Sequence, residues 1–205
     1  MIKKSILILI ALSFFSVCFA GSIQDAHKAV IARKNAVVGY TQQQDLPGTK
    51  DNAASQAVGV YNSDRYVGGS FTASGNYTCT KIGFYAHAIN GSPVYNLTAY
   101  IYSNDAMGGG AEDDEPDALL ETSTTTLDAS TVSVDTYMEF VFTGEALTSG
   151  VKYWAVIYSD ATSANNIAVR YDSTDVLNTM QSADAATWTN EENTSQLYLK
   201  IYSGG

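Results

Sequence analysis

The chain has 205 residues, enough for one domain with a full core. Its 11 basic residues face 21 acidic ones, a formal net charge of −10. That balance excludes nucleic acid and anionic membrane surfaces as partners, because both need a basic patch.

Residues 1–20 read as a signal peptide. Lys3 and Lys4 form a basic head, Ile6 to Val17 an apolar middle, and Cys18-Phe19-Ala20 a cleavage site. The apolar run is too short to span a bilayer, and no later stretch approaches the length one needs. Cleavage after Ala20 leaves a chain from Gly21; a lipid anchor on Cys18 is the rival reading. Two lysines and no acid go with the leader, so nine basic residues face 21 acidic ones, a net charge of −12. The expected address is secreted, either extracellular or on the cell surface. One cysteine, Cys79, then remains, so no internal disulfide can form. It either pairs between chains or is a small buried side chain.

Residues 21–57 are expected to form a helical arm and a polar linker. Ser22 can cap the helix, with Asp25 as the acidic partner of a capping box. Ile23, Ala26, Val30 and Val37 make a narrow apolar stripe at helical spacing, and Gly39 ends it. Lys28, Arg33 and Lys34 make this arm basic in an otherwise acidic protein. It can pack on its own domain, or reach an acidic neighbouring copy and build a filament. It can also add a strand to a neighbour's open sheet edge. Residues 40–57 are polar and lack periodicity, which predicts a linker.

From residue 58 to 205 the texture is β. Expected strands are 58–61, 65–73, 79–88, 95–104, 119–126, 136–143, 151–159, 166–172 and 196–203. Turn signals separate them, among them Ser74-Gly75-Asn76, Asn90-Gly91-Ser92-Pro93 and Thr143-Gly144-Glu145. Pro93 and Pro116 are expected in connections. The run from Val151 to Tyr158 is apolar on both faces, which predicts a central strand covered on both sides. Elsewhere the alternation assigns faces. Ile82, Phe84, Ala86 and Ala88 point inward, as do Leu97, Ala99 and Ile101, Met138, Phe140 and Phe142, and Leu197, Leu199 and Ile201. A slip of one residue would expose this whole set, so the register is well specified. The fold class is all-β: an antiparallel β-sandwich with a short N-terminal α-helix.

The stretches GSFTASGNYTCTKIGFYAHAINGSP, LTAYIYSND, LLETSTTTLDAS and EFVFTGEALTSGVKYWAVIYSD follow one another in an order that resembles jelly-roll-like β-sandwich domains. Such domains occur in secreted bacterial surface proteins and phage structural proteins, and are similar in look to carbohydrate-binding modules. The resemblance covers residues 65–203 and implies a non-catalytic surface, adhesive or assembly module. It brings no site residues with it.

Tyr recurs on the outward positions. Tyr85, Tyr100, Tyr102, Tyr198 and Tyr202, with His87 and Lys200 among them, are expected to line one sheet face. Tyr offers an apolar ring and a hydroxyl at little entropic cost, which suits sugar stacking and protein contacts alike. The plainer reading is that Tyr favours half-exposed strands, or that the helix covers this face. The acidic loop Glu112 to Asp117 places Asp113, Asp114 and Asp117 as calcium ligands, or is simply solvated. It lacks the spacing of a dedicated calcium loop, and no other cofactor is implied.

Enzyme signatures are missing. The two histidines, His27 and His87, lie in unlike contexts, and the chain holds neither H-E-x-x-H nor G-x-S-x-G. Glu121, Glu139 and Glu145 offer a carboxylate pair only in the sense that any acidic β-protein does. The expected function is therefore non-enzymatic. It is an extracellular structural subunit self-associating through its arm and Tyr-rich face, as a filament or appendage component. The alternative is a secreted module binding polysaccharide on the same face.

Overall fold

The computed structural model describes residues 40–46, 55–61, 64–105, 114–172, 179–192 and 196–204, with the backbone alone for 55–58 and 190–192. The expected signal peptide and the expected helix at 22–38 lie outside the described residues.

In chain order the strands are β1 (Thr41–Leu46), β2 (Ser55–Gly59), β3 (Tyr66–Thr72), β4 (Tyr77–Asn90) and β5 (Asn96–Asn104). Then come β6 (Pro116–Thr122), β7 (Leu127–Asp128), β8 (Thr136–Leu147), β9 (Lys152–Ser159) and β10 (Asn166–Asp172). The last four are β11 (Thr179–Ser182), β12 (Thr189–Glu192), β13 (Gln196–Leu197) and β14 (Leu199–Ser203). A 3-10 turn, Ala129–Thr131, joins β7 to β8.

They form a two-sheet antiparallel β-sandwich. The first sheet runs β1-β14-β4-β10-β13, with β8 also on β4 and β2 on β10. Both β14 and β8 pair with Ile82 to Phe84, so they flank β4 on opposite sides. The second sheet runs β12-β11-β3-β9-β5-β6, with β7 also on β5. β9 lies inside this sheet, as its two-sided apolar pattern requires, and Trp154 to Ile157 are fully buried. Apart from Ala88, the inward sets named from the alternation meet between the sheets in one cluster with Phe71, Tyr153, Ile167 and Val169.

The sandwich has two distinct lateral sides. On one, Glu121 of β6 reaches the amides of Thr143 and Gly144 in β8. On the other, Gln44 Nε2 of β1 donates to the Thr72 carbonyl in β3 (2.8 Å), and Gln196 Nε2 of β13 donates to the Ser70 carbonyl (3.2 Å). β1 and β6 therefore lie on opposite lateral sides.

Several expectations change. Residues 41–46, read as linker, form the edge strand β1, and residues 55–57 begin β2. An edge strand has one side open to water and needs no apolar alternation; Gln43 and Gln44 hold β1 by side-chain hydrogen bonds to Ser203 Oγ (2.9 Å) and Thr72. Thr143-Gly144-Glu145 is no turn. β8 runs on to Leu147 through a bulge opposite Thr80, made possible by Gly144 at φ 141°. Pro116 opens β6 instead of preceding it, at the strand position where a missing N–H is tolerated. A second bulge sits at His87, where Ala86 and Ala88 face the successive residues Val169 and Ala168. It shifts the parity, so that Ile89, not Ala88, packs on the core.

Candidate functional site: an aromatic patch on the second sheet

The expected tyrosine face is divided. Tyr85 and His87 on β4, and Tyr198, Lys200 and Tyr202 on the β13–β14 run, are on the outer side of the first sheet, where Tyr198 is buried. Tyr100 and Tyr102 are on β5, in the second sheet, and point away on the far side of the molecule. Strand alternation assigns a residue to the inner or outer surface; it does not say which sheet the strand joins.

On the first sheet the rings are occupied from within. Lys81 Nζ lies 4.3 Å from the Tyr40 ring centre and 4.2 Å from that of Tyr202, and pairs with Glu139 at 2.9 Å. Lys200 sits 4.4 Å over Tyr137 and 3.9 Å from Asp45, which also accepts from the Tyr137 hydroxyl at 3.2 Å. Arg170 lies over Tyr85 and Tyr198 at 5.9 and 5.2 Å. Burial, and then the Asp45 charge, push the Tyr137 hydroxyl far above its ordinary range. Cations alternating with rings tie β1, β4, β8, β10 and β14 together, a scaffold role. His87 is partly buried in its bulge, and its Nδ1 has no hydrogen-bond partner among the described residues.

The second sheet differs. Tyr66 on β3 stands opposite Tyr158 on β9 in the ladder, and Tyr100 on β5 stands opposite Val156 on β9, one outward position along. Their ring centres are 4.6 Å (Tyr66–Tyr158), 6.1 Å (Tyr66–Tyr100) and 6.4 Å (Tyr100–Tyr158) apart, the first two pairs tilted and the third edge-on, and all three rings are partly exposed. Beneath them Trp154, Val156 and Met180 are buried, with Tyr102 and Trp188 closing one flank. Trp154 Nε1 donates to Asn104 Oδ1 at 2.7 Å, so the buried indole is satisfied. The rings have room because Gly68 lies below: a Cβ there would come within 3.1 Å of Val156 and 3.5 Å of Trp154.

Trp188 reaches this surface from the β11–β12 connection. Ser182 Oγ accepts from the amides of Asp184 and Ala185, and Asp184 Oδ1 accepts from those of Ala186 and Thr187, both at 2.9 Å. Those backbone donors hold the Asp184 carboxyl below its ordinary range. The folded connection sets Trp188 edge-on to Tyr66 at 6.4 Å and to Tyr102 at 6.0 Å.

A polar rim borders the open rings. The Tyr158 hydroxyl donates to Asp160, which also faces Arg65 at 4.0 Å. That bond to Asp160, ahead of burial, pushes Tyr158 up to about 12, and burial, ahead of the Asp160 charge, raises Tyr66. Burial also raises Tyr100 and takes Tyr102 to about 12. All four hydroxyls keep their protons at any physiological pH. The arrangement presents apolar ring faces, hydroxyl donors, a carboxylate and a guanidinium within one surface.

Of the other expected residues, Lys28, Arg33, Lys34 and Asp113 lie outside the described residues. Asp114 pairs with Lys152 Nζ, and Asp117 accepts from Ser103 Oγ at 3.3 Å. Among the described residues, no group of three His, Cys, Asp or Glu side chains is placed to hold a metal ion. Nor is any helix among them long and apolar enough to cross a membrane. Cys79 is buried, and burial pushes its thiol up to about 12, as suits the reading of a small core side chain. Glu139 is paired with Lys81, and Glu121 is taken up by backbone amides.

Tyr66 and Tyr158, which complete the patch with Tyr100, and Trp188 on its flank do not stand out in the sequence. The period-two pattern of β9 does contain a signal, since Trp154, Val156 and Tyr158 share its outward face. The chain matches no known protein family, and no curated protein matches it.

Proposed function

We propose that this protein is a non-enzymatic, secreted binding module whose Tyr66–Tyr100–Tyr158 patch takes a carbohydrate. The observation that carries this reading is the triangle of partly exposed rings, 4.6 to 6.4 Å between centres, fixed on three adjacent strands and bordered by Asp160 and Arg65. Sugars present C–H faces that stack on aromatic rings and hydroxyls that need donors and acceptors beside them. This surface offers both. Rings anchored on ladder positions lose little freedom when a ligand arrives. The sandwich is read here as jelly-roll-like, of the kind found in secreted bacterial surface and phage structural proteins. A net charge of −12 after leader removal favours neutral glycans over acidic ones.

The test is isothermal titration calorimetry against a panel of soluble neutral oligosaccharides, using the chain from Gly21. Tyr100→Ala and Tyr158→Ala should each weaken binding by roughly tenfold, the worth of one stacked ring. Tyr202→Ala, on the other sheet, should leave binding unchanged. Binding that survives both patch substitutions in a folded chain would sink the assignment.

A further inference from the structure

β6 is the outermost strand of the second sheet, and among the described strands it pairs with β5 alone. Residues Asp117 to Leu120 are all exposed, Leu119 by 51% and Leu120 by 37%. An edge strand's open N–H and C=O groups invite another strand, and natural proteins blunt such edges with charge, bulges or cover. The β8 edge is treated in that way. Thr124 N donates to the Val141 carbonyl at 2.7 Å, Val141 N to Thr125 Oγ1 at 3.0 Å, and Glu121 accepts from Thr143 and Gly144 at its bulge. β1 carries the polar run Thr-Gln-Gln-Gln-Asp. β6 has two irregularities in its pairing with β5 and the charges Asp117 and Glu121 near its ends, but between them its edge is apolar from Ala118 to Leu120.

We propose that β6 accepts residues 29–38 of a second copy as an added strand, joining chains head to tail. Charge supports this pairing. Asp114, Glu115 and Asp117, around the start of β6, are acidic, whereas the donor run and the residue before it hold Lys28, Arg33 and Lys34. These are three of the nine basic residues left after leader removal. Composition supports it too: Val30, Ile31, Val37 and Val38 are β-branched, and the run has neither Gly nor Pro. The attachment point decides between self and neighbour. The donor run ends three residues before Thr41 in the chain, and β1 lies on the lateral side opposite β6. A contact from one side of one copy to the other side of the next is heterologous and does not close, so it builds filaments. Leu119 stands opposite Tyr102 at the flank of the aromatic patch, but the strand pairing does not depend on what that patch binds.

The experiment is sedimentation velocity on the chain from Gly21 over a concentration series. Two variants accompany it: Leu119→Lys in the acceptor, and Arg33→Glu with Lys34→Glu in the donor. The unaltered chain should grow with concentration. Each variant alone should associate roughly tenfold more weakly or less, as the loss of one buried leucine contact implies. A mixture of the two variants should stop at dimers, because each chain keeps one working half. Coincident thermal melts verify folding, and Leu120→Lys replaces Leu119→Lys if the latter melts early. Edge-to-edge pairing of two β6 strands would leave the donor variant associating and would overturn the proposal. So would an unaltered chain that stays monomeric throughout.

Discussion

Glu121 and Glu145 differ in what surrounds them, and the difference makes one of them a pH-dependent weakness. Glu121 leaves β6 and accepts from Thr143 N at 2.6 Å and Gly144 N at 3.1 Å, so its charge is satisfied by the β8 bulge. Glu145 lies just beyond that bulge, with its carboxyl raised above the ordinary range by burial and then by the Glu121 charge. A raised carboxyl means that the fold favours the protonated form. The stabilising contribution is complete below the unfolded value and is lost as pH rises through the raised folded value. Glu145→Gln should therefore match the parent near pH 4 and become the more stable of the two as pH approaches about 7. Urea midpoints at a series of pH values check this, and a difference that stays flat with pH would assign the cost elsewhere.

The β11–β12 connection shows how a short element can be held in an unfavourable conformation by what it positions. Ala185 adopts φ 61°, where its Cβ crowds the following carbonyl, and it stays there because Ser182 and Asp184 fix the neighbouring amides and Trp188 must reach the aromatic surface. Ala185→Gly should stabilise the fold by about 0.5 kcal/mol, the relief of left-handed strain offset in part by a looser unfolded chain. A denaturant titration measures it, and a loss of stability would show that the alanine methyl packs usefully. This connection also marks where reading the sequence stops. β4, β5, β8, β9 and β14 are legible from alternation, because each hides one aliphatic face, or in β9 both. β1, β11 and β12 are not: β1 is polar edge, and the two short strands that flank the connection lack any sustained period. The bulges at His87 and Gly144 are invisible for another reason, since each is set by the partner strand. The aromatic patch suffers from the same limit. Tyr100 is marked by its own strand, but its companionship with Tyr66 and Tyr158 comes from the order of strands in the sheet.

At the scale of the whole molecule the charge is lopsided. Lys81, Lys200 and Arg170 are gathered on the outer surface of the first sheet, over rings and carboxylates, while acidic residues outnumber basic ones elsewhere. Mutual repulsion among 21 carboxylates therefore outweighs the few ion pairs, and screening should relieve more than it removes. The melting temperature should rise between about 0.05 and 0.5 M sodium chloride, where the screening length shrinks from more than about 10 Å to a few ångströms. A fall would mean that the cation–ring network on the first sheet dominates stability. The same sheet holds a mechanical consequence. Thr41 of β1 lies directly opposite Ser203 of β14, so the first and last of the described strands are antiparallel neighbours with adjacent ends. Tension applied between those ends meets their hydrogen bonds one rung at a time, as in opening a zipper, and never loads the whole ladder at once. The domain would yield easily to a pull between its own two ends, and a tether that must bear force would need to grip it elsewhere.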